Sequence, residues 1–151
     1  MLHFKIEFND TALQSAFKEL VARGTNMRPL MFEIGGELQR TTRENFDGQH
    51  DPDGKPWDPI SAAWKARKAK LGGSSKILRF RGLLRKTIVM DVGENTLELN
   101  TIQPYARVHQ LGGGSKKMRK RTFIGVSEDN KNFIREAAAD YLRNAVETPA
   151  A

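Results

Sequence analysis

The chain has 151 residues, no cysteine and a formal net charge of +7. This length predicts one domain with a real hydrophobic core. The lack of cysteine excludes a disulfide scaffold, a thiol nucleophile and a thiolate metal site, and it fits synthesis in a reducing cytoplasm. No apolar run approaches the ~20 residues that span a bilayer, and the alternating first ten residues are not typical of a signal peptide. We therefore expect a soluble protein without membrane contact.

Positive charge is unevenly distributed along the sequence. Nine cations lie between Pro59 and Met90 and six between Leu99 and Ser127, and neither window contains an acidic residue. Ten of the 18 anions lie before Pro59. This polarity favours either nucleic-acid binding or head-to-tail contact between identical subunits.

Hydrophobic periodicity and turn residues predict the secondary structure. In chain order the predicted elements are a strand at 2–8, helices at 10–24 and 27–46, a short helix from 61 to 70, a hairpin with strands at 87–92 and 97–100, one or two helical turns at 105–111, and a last helix after 127. Asp10, Asn26 and Ser127 are the predicted N-caps, because their side chains can accept from free backbone N–H groups.

This order of elements predicts an α+β fold, in which a small antiparallel sheet packs against two long helices. Long basic loops remain outside it. We expect a single domain, residues 1–151, whose core consists of about 1–46 and 77–148. The predicted extended loops are 47–60, 71–77 and 112–122, since each is rich in glycine, proline or charge.

Two glycine-rich segments, "LGGSSK" and "LGGGSKK", raise the question of phosphate binding. A nucleotide-binding P-loop ends in Gly-Lys-Ser/Thr and opens a helix. Neither segment has the Gly-Lys pair, so nucleotide hydrolysis is not predicted.

Acid–base or metal chemistry has equally little support in the sequence. Four aspartates cluster around His50 in the loop from 47 to 60, but their spacing lacks a calcium-loop pattern. Aspartates in such a turn-rich loop commonly bond their own backbone. His3, His50 and His109 do not form the paired helical spacing of a zinc site. We predict no catalytic residue, no metal and no cofactor.

The loop from 112 to 122 is the most distinctive feature of the sequence. It begins with three glycines, and five cations follow: Lys116, Lys117, Arg119, Lys120 and Arg121. Such a basic arm can bind a polyanion by releasing counterions, with nearby aromatic rings as stacking faces. It can also reach acidic surfaces on neighbouring copies. We slightly favour protein contact and leave DNA contact open.

Four motifs occur together in the order "PDGKPWDPIS", "ILRFRGLLRKTI", "YARVHQLGG" and "RTFIGVSEDN". This ordered set, from about residue 46 to the C-terminus, resembles the virion morphogenesis or tail-completion proteins of Mu-like tailed phages. The resemblance implies a small, non-enzymatic virion protein that is made in the host cytoplasm and acts at the neck or tail end. Its implied partners are further copies in a ring-like homo-oligomer and neighbouring neck, tail-tube or head-completion proteins. Non-specific contact with phage DNA stays open.

Within such a ring, four side chains would serve as contacts between subunits. Trp57 would pin its proline-flanked loop either to its own core or to an adjacent subunit. Tyr105 and Phe123 would anchor the two ends of the basic arm, and His109 would form hydrogen bonds at its base. The runner-up function is a capsid-assembly or non-specific DNA-binding factor of the same class of phage.

Overall fold

The structure, a computed structural model, describes residues 2–5 and 10–147. In that part of the chain the elements are β1 (Leu2–Lys5), α1 (Thr11–Ala22), α2 (Arg28–Gly48), α3 (Ala62–Lys70), α4 (Leu83–Lys86), β2 (Val89–Val92), β3 (Leu97–Thr101), α5 (Ala106–Leu111) and α6 (Glu128–Glu147). The predicted α+β fold is confirmed. Residues 6–8 of the predicted first strand and the predicted core limit at 148 lie outside the described residues.

The three described strands form one antiparallel sheet in the order β1-β3-β2. Leu99 on the central strand is opposite both Phe4 and Met90, and it is buried. Helix α2 packs closely on this sheet at Gly35. A Cβ atom there would lie 2.7 Å from Leu97 Cδ1 and 2.9 Å from Met90 Sδ. This close approach explains a mid-helix glycine, which otherwise costs about 1 kcal/mol relative to alanine.

Two of the three predicted N-caps, Asp10 and Ser127, are confirmed, and the third, Asn26, is wrong. Asp10 Oδ1 accepts from the backbone N–H of Leu13 at 3.0 Å, and Ser127 Oγ accepts from that of Asn130 at 3.1 Å. Asn26 Oδ1 accepts from the backbone N–H of Arg28 at 3.1 Å, although the residue at the N-cap position is Met27.

The predicted end of the second helix is corrected, because α2 continues two residues beyond Phe46, to Gly48. The Asp-Gly pair looks like a turn signal, but Gly48 is needed for another reason: a Cβ there would lie 2.5 Å from the His50 ring. The left-handed residue that ends the helix is Gln49, with φ of 59°. Its side-chain amide donates to the carbonyl of Ile77 at 3.2 Å, so the end of α2 is tied to the chain that leaves the loop at 71–77.

Candidate interaction surface

The basic arm is an ordered hairpin in this structure. Gly113 and Met118 exchange two backbone hydrogen bonds, each of 2.8 Å. Gly112, Gly113 and Gly114 all have left-handed φ angles of 76°, 91° and 75°, which glycine adopts without steric cost. A Cβ at Gly112 would lie 3.1 Å from the backbone nitrogen of Lys120. The glycines therefore lead the chain into a tight turn at 114–117, in which the backbone N–H of Lys117 donates to the carbonyl of Gly114 at 3.1 Å.

Four of the five predicted arm cations are exposed: Lys116, Lys117, Arg119 and Lys120. Arg121 differs, because only 7% of its surface is accessible. Its Nε donates to the carbonyl of Asp58 at 3.0 Å, and its Nη2 donates to the carbonyl of Pro59 at 3.4 Å. Burial lowers its pKa below the ordinary value. This corrects its assignment to the exposed arm: Arg121 holds the base of the arm against the loop from 47 to 60.

We expect Arg121→Gln to lower the free energy of unfolding by about 1–3 kcal/mol, because two carbonyls lose a charged donor in a buried place. The matched change Lys120→Gln, at an exposed neighbouring position, should stay within about 0.5 kcal/mol of the parent. Urea unfolding followed by circular dichroism measures both. Equal stability of the two variants would contradict the structural role of Arg121.

The far end of the arm leads into an aromatic cluster in the core. The Phe46 ring lies 5.6 Å from that of Trp57, edge to face, and 5.3 Å from that of Phe123. The indole Nε1–H of Trp57 donates to the carbonyl of Thr122 at 2.8 Å. This cluster joins α2, the loop from 47 to 60 and the end of the arm.

Both Trp57 and Phe123 are thus buried within their own chain. This corrects the expectation that their side chains contact another subunit, since neither offers appreciable surface. The alternative for Trp57, pinning its loop to its own core, is the arrangement observed. Large aromatic residues in glycine- and proline-rich sequence are ambiguous, because the same side chain suits a core or an interface.

Sequence reasoning missed Gln110, which holds the segment after the arm. Its Oε1 accepts from the backbone N–H groups of Phe123 and Ile124 at 3.0 and 3.1 Å. Its Nε2 donates to the carbonyl of Ile124 at 2.7 Å. One buried side chain therefore replaces a neighbouring strand. A single glutamine in a short helix gives no sequence signal for this role.

Tyr105 and His109 lie together on α5 and its N-terminal flank. Tyr105 is 40% exposed, and its ring meets the His109 ring edge to face at 5.9 Å. Burial and, to a smaller extent, the nearby Arg121 lower the pKa of His109, which favours the neutral imidazole. Its Nδ1 is buried and has no hydrogen-bond partner among the described residues. The backbone carbonyl of His109 accepts from the backbone N–H of Arg121 at 2.7 Å, at the base of the arm.

A cleft of about 1050 Å³ lies between the arm, α3 and the segment from 77 to 84. We call it the arm groove. Its apolar lining includes Ile60, Trp64, Ile77, Leu78, Phe80, Leu83, Leu84, Tyr105 and Met118. The Phe80 ring packs closely on Gly73, where a Cβ would lie 2.0 Å from it. Trp64 and Leu83 remain 41% and 47% exposed, so they are available to a partner.

The charge of the arm groove has a single sign among the described residues. Its charged lining consists of Lys68, Arg79, Arg81, Lys116, Lys117, Arg119 and Arg121. Some of these cations are already engaged inside the chain. Lys68 Nζ donates to the carbonyl of Lys76 at 2.6 Å, and Arg79 pairs with Asp47 at 2.9 Å. Arg119 lies 3.4 Å from Asp58. The groove nevertheless has no acidic lining residue in the described chain.

The aspartates around His50 have structural roles. Asp51 Oδ1 accepts from the backbone N–H groups of Asp53 and Lys55, both at 2.9 Å. Asp47 is paired with Arg79 and Arg85, and the hydrogen bond from Arg85 is the main reason that the pKa of Asp47 falls below its ordinary value. The described residues contain no cluster of three metal-ligating side chains, and none of the described helices could cross a membrane.

A small α+β core carries an ordered basic hairpin beside a groove with an apolar lining. Residues 8–143 match the phage virion morphogenesis family, and the chain belongs to that family. This confirms the resemblance to morphogenesis proteins of Mu-like phages.

Named relatives come from Mu and Mu-like prophages. The chain is 27% identical to "Mu-like prophage FluMu G protein 1" of Haemophilus influenzae, over 89% of this chain and 91% of the relative. It is 27% identical to "Mu-like prophage FluMu G protein 2" of the same organism, over 92% and 96%. It is 32% identical to "Putative capsid assembly protein G" of Escherichia phage Mu, over 67% and 65%. No solved structure matches the chain.

Proposed function

We propose that this protein is a non-enzymatic structural component of a phage virion that acts in tail completion or head–tail joining. Membership of the virion morphogenesis family supports this role. The observation that carries the proposal is the exposed basic hairpin from 113 to 118, whose shape is fixed by backbone hydrogen bonds before any partner arrives. An ordered projection loses less entropy on binding than a flexible loop, and so favours assembly.

In the proposed assembly, copies form a closed ring, and the arm of each copy contacts the next. A heterologous contact of this kind closes when its rotation fits a whole number of subunits. Tyr105 and the exposed arm cations supply the contact, while Arg121 and Trp57 hold the arm in position from within. The other proposed neighbours are neck, tail-tube or head-completion proteins. The protein is made in the host cytoplasm and ends in the virion.

The arm is tested by changing Lys116, Lys117, Arg119 and Lys120 together to Gln. Arg121 is kept, because its loss would disturb the fold. We expect a folded protein that fails to form the wild-type oligomer in analytical ultracentrifugation, since charge complementarity at the contact is lost. The matched control changes four exposed cations on α1, α2 and α6 to Gln: Lys18, Arg28, Arg43 and Arg143. Normal assembly of the arm variant would contradict the arm contact.

The second candidate is a capsid-assembly or non-specific DNA-binding factor. It is favoured by the exposed arm cations and by the name of the phage Mu relative, which refers to capsid assembly. If the arm contacts phosphates, the same arm variant should reduce the slope of log affinity against log salt by up to about 0.9 per lost contact. Absence of DNA binding by the wild-type protein at low salt would contradict the DNA-binding part of this second candidate.

A further inference from the structure

The geometry points to the arm groove as a docking site for an acidic peptide segment with apolar anchor side chains, supplied by another virion protein. The inference rests on the proposed function, because it names the kind of partner that an assembly protein with this surface would hold. Its basis is the combination of an apolar floor, a cationic rim and free space of about 1050 Å³.

The apolar side chains at the floor of the groove favour a peptide over a simple polyanion as the occupant. Trp64 and Leu83 keep 41% and 47% of their surface exposed inside a cleft, and Phe80 lies 6.4 Å from Trp64. Burying such side chains stabilises a complex only when the partner supplies apolar groups. A phosphate backbone would use the cations and leave this floor unpaired.

Base stacking by single-stranded DNA fits the floor less well. The Arg67 guanidinium lies 6.0 Å from the centre of the Trp64 ring, and that of Arg81 lies 5.7 Å from the centre of the Phe80 ring. One face of each ring is therefore occupied by a cation of the chain itself. Apolar anchors can still contact the exposed remainder of Trp64 and the aliphatic side chains beside it.

The cations at the rim of the groove indicate that the partner is acidic. Lys116 and Lys117 on the arm are exposed at the groove, and Arg81 lies at its other side. No acidic side chain lines the groove in the described chain, and only Arg79 and Arg119 among its cations form ion pairs with nearby aspartates, so an acidic segment meets net attraction there.

A second copy of this chain is a poorer occupant. The tip of the β2–β3 hairpin, residues 93–96, contains Glu94 but no large apolar side chain. An external segment that combines acidic and apolar residues matches both parts of the groove.

The probe is a short fluorescein-labelled peptide in which glutamates alternate with leucine and tryptophan, and binding is followed by fluorescence anisotropy. We expect saturable binding that weakens with salt. Trp64→Ala combined with Leu83→Ala should weaken it about tenfold or more, as loss of central anchors does. The control, Val21→Ala with Phe32→Ala, truncates two exposed apolar side chains on α1 and α2 and should leave affinity unchanged. Thermal unfolding checks that both variants fold.

Two further probes discriminate between occupants. A peptide of equal charge with serine in place of leucine and tryptophan should bind at least about tenfold more weakly. Equal binding of that peptide, or tighter binding of a single-stranded oligonucleotide, would show a polyanion surface and overturn the inference. Failure of every peptide to bind would do the same. Loss of self-association in the variant with Trp64→Ala and Leu83→Ala would also overturn the inference, because the occupant of the groove would then be a second copy.

The outcomes separate this inference from the proposed function. If the wild type assembles through its arm and is found in particles but ignores the peptide, only the groove inference fails. If the peptide binds through Trp64 and Leu83 while the protein is absent from particles, the groove inference stands and the proposed function fails.

Discussion

Replacing Gln110 by Leu is expected to lower the free energy of unfolding by about 3–5 kcal/mol. The change keeps the approximate size of the side chain but removes the groups that bond Phe123 and Ile124. Two buried backbone N–H groups and one carbonyl then lose their partner, and each unpaired group costs about 1–3 kcal/mol. Because a domain is typically stable by only about 5–15 kcal/mol, this is a large fraction of the total.

Urea unfolding of the Gln110 variant gives the stability change, and amide hydrogen exchange locates it. We expect faster exchange at 121–124, where the side chain acts. The matched control is Lys18→Leu on the exposed surface of α1, which should change stability by less than about 0.5 kcal/mol. A loss below about 1 kcal/mol for Gln110→Leu would show that the segment is held by other interactions.

Replacing Phe46 by Ala should also destabilise the protein by about 3–5 kcal/mol, the usual cost of truncating a buried phenylalanine. Phe46 is fully buried and lies against both Trp57 and Phe123. The cavity would therefore loosen the loop from 47 to 60 and the far end of the arm together. In the folded protein, we expect this loosening to quench the fluorescence of Trp57 or to shift its emission to longer wavelength.

Phe32→Ala provides the comparison on the same helix, because Phe32 is 59% exposed. At this position, alanine should lower the free energy of unfolding by less than about 1 kcal/mol, because little apolar surface is removed from a packed environment. Chemical denaturation of both variants tests the difference. Similar losses at the two positions would contradict the placement of the aromatic cluster in the core.

Much of the fold follows from local patterns in the sequence. The spacing of Leu13, Phe17 and Leu20 is enough to orient α1, because the helix buries one stripe. Alternation around the glycine at 93 is enough to place the β2–β3 hairpin. The end of α2 is missed because the left-handed residue that ends the helix is Gln49, whose side chain is held by Ile77, a tertiary contact.

The candidate site follows from the sequence only in part. A run of cations correctly marks the arm, but it does not reveal that Arg121 turns inward while Lys120 stays exposed. Three glycines suggest a flexible segment, whereas in the structure they lead into a hairpin that backbone hydrogen bonds between Gly113 and Met118 close. The arm groove could not be predicted, because Trp64, Leu83 and Tyr105 come from separate segments that only the fold brings together.

Electron cryomicroscopy of intact phage particles tests the central proposal most directly. We expect several copies of this chain encircling the tail axis at the neck or tail end, with the hairpin from 113 to 118 of each copy against its neighbour. Mature, infectious particles that lack the chain altogether would contradict its role as a structural component of the virion.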